Sequence, residues 1–127
     1  MVNGGADWPD LACMPKGRVY RMRYSAEGFR VIQTAAFVAW LEGLRDQVAQ
    51  GRIAARIRRL EFGHLGDWKQ IDGTIAELRI DHGPGYRLYF ARRGRSIVLL
   101  LAGGDKLSQP RDIAAARAAL SRIGDLT

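Results

Sequence analysis

Arg79 and Arg87 are the side chains from which chemistry is most readily built. Between Ile75 and Gln109 apolar and polar residues alternate, so Ala76, Leu78 and Ile80 fall on one face of a strand and Glu77, Arg79 and Asp81 on the other. After a turn at Gly83-Pro84-Gly85, a second strand puts Tyr86, Leu88 and Phe90 on one side and Arg87 and Tyr89 opposite. Parity lets both guanidinium groups share the polar face, and the short hairpin brings them together. A guanidinium keeps its charge at any relevant pH and grips two oxygens at once, which suits a phosphate. The other reading of each arginine is a structural ion pair, with Glu77 or Asp81 as the partner of Arg79. Tyr89 either packs the sheet or serves the same face as a stacking partner or proton donor.

Further candidates flank this hairpin. The polar, Gly-rich loop of residues 63–70 leads into the sheet and holds His64, a possible proton carrier or a plain surface histidine, and Lys69. Arg52, Arg56 and Arg59 form a stripe on a helix, with Arg45 and Arg58 nearby; such a row faces either phosphates or water. Gly103-Gly104 brings backbone close to whatever lies above the sheet, but no glycine-framed GKS or GKT follows, so a P-loop is missing. No Cys/His set stands at metal-ligand spacing, and neither a GxSxG elbow nor a dinucleotide fingerprint occurs.

These residues need elements to position them. Ile97 to Leu101 is apolar without alternation, the pattern of a strand covered on both faces, and is expected to be central. Phe29 to Gln33 reads as a short strand, after which Thr34 caps a helix carrying Phe37, Trp40, Leu41, Leu44 and Val48 at helical spacing. Gly51 is expected to interrupt that helix, with a second following in which Ile53, Ile57 and Leu60 are buried. Ser108 as cap, Pro110 in the first turn and Ile113, Ala116, Leu120 and Ile123 define a last helix ending at Gly124. Strand, two helices, three meandering strands and a helix describe a small α+β domain, an antiparallel sheet with helices packed on one side.

The chain has 127 residues and a formal charge of +7, a surplus that favours an anionic partner, nucleic acid or acidic protein. The single cysteine, Cys13, permits no internal disulfide and suits a reducing cytoplasm. No apolar run approaches the ~20 residues that cross a bilayer, and no secretory pattern opens the chain, so a cytoplasmic location is expected. Residues 1–22 lack periodicity and read as a flexible extension before a domain over 23–127, with Met22 an alternative start and Trp8 a possible docking point.

The run from Trp40 to Phe90, followed by LLLAGGDKLSQPRDIAAA, resembles the RelE/ParE superfamily of bacterial toxins, and more narrowly the HigB-like, phage-derived addiction module killer proteins. Glu77-Leu78-Arg79, the Gly-Pro-Gly-Tyr-Arg of residues 83–87, and Gly103-Gly104-Asp105-Lys106 with Gln109 carry the resemblance, which covers about residues 29–123. It implies the toxin of a type II toxin–antitoxin pair, held by a cognate antitoxin that is usually a helix-turn-helix protein. Many relatives of this kind cut mRNA in the ribosome without a metal or other cofactor: the ribose 2′-hydroxyl attacks phosphorus, and the enzyme moves protons and stabilises charge. On that resemblance Arg79 and Arg87 bind phosphate, while Lys106, Lys69 and Tyr89 complete the catalytic set. Arg52, Arg56, Arg59 and His64 would bind RNA. The C-terminal helix lacks the tyrosine or histidine that ribosome-dependent relatives often place there, so Tyr86, Tyr89, His64 or Glu77 would have to substitute, and a gyrase-poisoning ParE-like toxin or an inactive nucleic-acid-binding module stand as alternatives. The nuclease reading requires Arg79 and Arg87 to converge on one anionic spot without being locked into buried carboxylate pairs. The antitoxin is expected on the basic sheet face or the arginine stripe.

Overall fold

Alternation in the hairpin and the unbroken apolar run after it produce one five-stranded sheet. The computed structural model describes residues 28–123; the expected extension over residues 1–22 and the helix stop at Gly124 lie outside the described residues. In order come β1 (Arg30–Gln33), α1 (Ala35–Glu42), α2 (Gln47–Glu61), β2 (Trp68–Gln70), β3 (Ala76–Ile80), β4 (Tyr86–Arg93), β5 (Ile97–Asp105), a 3₁₀ turn (Lys106–Ser108) and α3 (Gln109–Ile123). The strands lie in the order β1-β5-β4-β3-β2. The α+β class is as expected, with two differences. Edge strand β1 runs parallel to β5, so the sheet is mixed. The helices are divided between both faces: α1 and α2 cover Leu78, Leu88 and Leu100, whereas α3 covers Tyr89, Leu99 and Leu101.

That division explains the β5 sequence. Val98 and Leu100 face one helix layer, Leu99 and Leu101 the other, so apolar side chains are needed on both sides. β5 is interior as expected, although the middle position belongs to β4. A bulge between Tyr89 and Phe90 of the register leaves Leu101 without a direct partner on β4, and Thr34 Oγ1 donates to the Leu101 carbonyl at 3.2 Å. Thr34 also accepts from Phe37 N at 3.1 Å, so one hydroxyl caps α1 and ties it to the sheet. Beyond the bulge the glycine pair admits a neighbour on each face. A Cβ on Gly103 would overlap the Trp40 ring, and one on Gly104 would overlap Asp112 and crowd Ser108 Oγ at 2.8 Å.

The helix break falls before Gly51, not at it. Asp46 Oδ1 accepts from Val48 N at 3.0 Å and Ala49 N at 3.1 Å, starting α2, which then runs through Gly51. Gln50 Nε2 closes the gap by donating to the Leu41 carbonyl at 2.9 Å and the Leu44 carbonyl at 3.1 Å. A strong cap at Asp46 outweighs the modest helix cost of one glycine. Among the described residues no helix is long and apolar enough to cross a membrane.

Two carboxylates, the α2 cap Asp46 and the turn residue Asp72, contribute to the acid sensitivity of this fold. The Ala49 amide and then His82, whose Nε2 lies 3.1 Å from Oδ2, hold Asp46 below its ordinary value. Burial pushes Asp72 up, but hydrogen bonds from Thr74 and Ile75 and the charge of Arg117 outweigh it and leave this carboxyl low as well. A carboxylate with a depressed folded pKa stabilises the fold above its unfolded value, and that contribution is lost as pH falls through the folded one. Stability followed by circular dichroism is therefore expected to decline below about pH 4, with a shallower acid limb in Asp46→Asn, which caps without titrating.

Candidate functional site

The hairpin register sets two rows of side chains on the α3 face. One runs Lys69, Glu77, Tyr89, Ala102 and the next Arg79, Arg87, Gly104. Arg79 and Arg87 share one face, as parity implies, and are direct cross-strand partners. Both guanidinium groups turn to the same carboxylate. Arg87 Nη1 donates to Glu77 Oε2 at 2.8 Å, and Arg79 Nε stands 3.9 Å from that oxygen. Gln109 Nε2, from the first turn of α3, donates to Glu77 Oε1 at 3.0 Å. Glu77 is 1% exposed, Arg87 15% and Arg79 39%, so the network grades from a buried carboxylate to a half-open guanidinium.

The shared anionic spot is thus occupied by the protein's own Glu77: Arg87 is locked into the buried carboxylate pair that the two-arginine nuclease reading excludes, its ion-pair reading holds, and any phosphate contact on this row falls to Arg79 alone. A buried carboxylate accepting from Arg87 and Gln109 repays its lost hydration only while both donors stay. Arg87 is a positioning residue. Arg79 is different: its Nη2 reaches Asp67 Oδ1 at 3.3 Å, where Asp67 is 61% exposed. Exposed pairs of this kind contribute roughly 0–1 kcal/mol and yield readily to a better anion.

Tyr89 does not serve an open basic face. It lies beneath α3 at 0% exposure, and its hydroxyl has no hydrogen-bond partner. Burial first, then the charges of Glu77 and Asp112, push its phenol up to about 12, outweighing Arg87 and Gln109. Proton donation and base stacking are both closed to a ring so placed. Tyr89→Phe is expected to leave stability equal or up to ~1 kcal/mol higher in urea denaturation, since the lost hydroxyl is unsatisfied.

Arg56 also departs from its expected role. Its guanidinium turns inward and donates to the carbonyls of Arg79 at 2.6 Å, Asp67 at 2.7 Å and Leu65 at 3.1 Å. Burial lowers its pKa, with Asp67 acting in the opposite sense. It fastens the 63–67 loop and strand β3 to α2, and so positions Arg79 from behind. Arg56→Ala is expected to cost about 2–4 kcal/mol in chemical denaturation, given ~1.5–3 kcal/mol for each charged hydrogen bond and partial rehydration of the carbonyls. Lysine, with one ammonium for three separated acceptors, should restore only part.

The remaining candidates divide. Lys69 is exposed on edge strand β2 directly across from Glu77. Lys106 is exposed on the 3₁₀ turn beside the β3–β4 turn, where a Cβ on Gly85 would lie 3.9 Å from Lys106 Cβ. Both therefore border the Arg79 end of the sheet. Arg52, Arg59 and His64 are exposed on α2 and the loop after it, in the helix layer on the opposite face, and belong to a separate surface. The sequence offers Glu77 as an ion-pair partner of Arg79 or a proton carrier, not as the buried centre of the site, and leaves Gln109 without a role. The alternation of Glu77 with Arg79 was a signal for the first; only α3 docking reveals the second.

A cluster at the start of α3 closes the site from below. Ser108 Oγ donates to Asp112 Oδ2, which fills the space above Gly104. Asp105 accepts from the amides of Leu107 at 2.9 Å and Ser108 at 3.1 Å, fixing the 3₁₀ turn that aims Gln109 at Glu77.

An uncharacterized protein of Haemophilus influenzae is 44% identical to this chain over 91 residues, which span 72% of the chain and 92% of that protein. No family model matches the chain. No solved structure matches it.

Proposed function

We propose a function for a chain that belongs to the same family as that Haemophilus influenzae protein: it is the toxin of a type II toxin–antitoxin pair, a metal-independent endoribonuclease acting on mRNA in the cytoplasm, held in check by a cognate antitoxin. The observation that carries this reading is the half-open Arg79 guanidinium, set on the cross-strand partner of Arg87 and 3.9 Å from the buried Glu77 carboxylate. The resemblance of Glu77-Leu78-Arg79, Gly83 to Arg87 and Gly103 to Lys106 to RelE/ParE toxins gives it a reaction.

In that reaction Arg79 leaves Asp67 for the scissile phosphate and stabilises charge growing on its oxygens. The 2′-oxygen bonds to phosphorus as its proton passes to Glu77, and the bond from phosphorus to the 5′-oxygen breaks. Lys69, in register with Glu77, supplies a proton to the departing oxygen. Substrate must displace Gln109 from Oε1 to expose the base, while Arg87 holds the carboxylate in place.

The closed Glu77–Arg87–Gln109 network and the buried Tyr89 also favour a second reading, a ParE-like toxin that poisons DNA gyrase and cleaves nothing. Primer extension on a message in a translating extract separates the two. Cuts at codon boundaries are expected with the wild-type chain. Intact message with trapped gyrase–DNA complexes would instead support the second reading, and neither result would end the toxin proposal.

A further inference from the structure

α2 carries a line of exposed side chains for which the site above has no use. Val48, Arg52, Ala55, Arg59 and Phe62 follow at alternating steps of four and three, so at about 100° per residue they stay within an arc of roughly 80°. All five are exposed, and Val48 at 58% and Phe62 at 70% are among the few large apolar side chains left so open in the described residues. Ile53, Ile57 and Leu60 occupy the other side of the helix and are buried against the sheet. The ridge is apolar at both ends, small in the middle and positively charged between.

We propose that this ridge docks an acidic amphipathic helix of a partner protein. Apolar anchors about 21 Å apart suit a partner helix of about four turns, with carboxylates spaced to meet Arg52 and Arg59. Ala55 at the centre lets the two backbones approach. The carboxylate within α2 itself, Glu61, lies roughly 200° around the helix from Arg59 and does not neutralise the ridge. A second copy of this chain would set Arg52 and Arg59 against like charge. Residues 1–27 carry Lys16, Arg18, Arg21 and Arg23 against Asp7, Asp10 and Glu27, so charge does not draw that segment there either. RNA would use the arginines but leave Val48 and Ala55 idle. The ridge is in the layer opposite Glu77, so its docking stands apart from the ribonuclease reading, which would make the partner the antitoxin.

The test is fluorescence anisotropy of the full chain with a labelled helical peptide of about 15 residues bearing leucines on one face and glutamates beside them. Binding is expected, weakened about tenfold or more by V48S/F62S and abolished by R52E/R59E. Arg111 and Arg122 are exposed on α3, and R111E/R122E, which removes the same charge elsewhere, should leave it within about twofold. Peptide binding untouched by V48S/F62S, or weakened equally by R111E/R122E, would reduce the ridge to unspecific charge and overturn the proposal. So would a single-stranded RNA that needs Arg52 and Arg59 when the peptide does not. RNA cleavage is read separately, so loss of one result leaves the other standing.

Discussion

On the ribonuclease reading proposed above, Arg79→Ala is expected to lower message cleavage by about 10²–10³-fold while the protein stays folded. The two halves of this expectation have different causes. The Arg79 guanidinium meets Asp67 at 3.3 Å in an exposed pair, and Glu77 only at 3.9 Å, beyond hydrogen-bond range. Removing it costs the fold roughly 0–1 kcal/mol. The backbone of residue 79 keeps its place regardless, since its carbonyl accepts from Arg56 and its N–H donates to the Asp67 carbonyl at 2.9 Å. The cleavage loss arises because charge developing on phosphate would meet no other half-open guanidinium on that row. Arg79→Lys should recover part of the rate, keeping the charge and losing the two-pronged grip. Single-turnover cleavage of a short RNA, with thermal melts on the same samples, checks both halves. An Arg79→Ala chain that cuts RNA at the wild-type rate would remove the residue from the site.

The hairpin and the sharing of one face by Arg79 and Arg87 were legible because period-two alternation and a Gly-Pro-Gly turn are local properties. Glu77 shared their parity, yet its burial was not legible, since it depends on where α3 lands and on Gln109, far along the chain, reaching its second oxygen. The two readings of Tyr89 were inseparable for the same reason, since a strand face reads as polar until a helix covers it, and the structure selects sheet packing. Arg56 followed Arg52 by one helical turn and so looked like one stripe. At about 100° per residue, however, it sits at the border of the Ile53 and Ile57 face, where a long side chain can reach loop carbonyls. Capping settled the helix break, where a single carboxylate at Asp46 mattered more than a glycine at 51.

Glu77→Ala and Arg87→Leu are each expected to destabilise the fold by about 3–5 kcal/mol, because either change strands a buried charge without its partner. In a domain of this size that is a large share of about 5–15 kcal/mol in total, and melting temperature should fall by on the order of 10–20 °C. The double variant Glu77→Leu/Arg87→Leu should recover most of the loss. It removes both charges from a site already bounded by Tyr89 and α3, and Gln109 is near enough to the margin to turn toward water. A double-mutant cycle in urea then reads the coupling directly, and single variants losing less than about 1 kcal/mol would show the pair to be weak. The same double variant separates scaffold from chemistry. Folded and silent toward RNA, it places the Glu77–Arg87 pair in the chemistry; folded and still cutting, it moves the base elsewhere and leaves Glu77 and Arg87 as the bolt that fastens α3 across the hairpin.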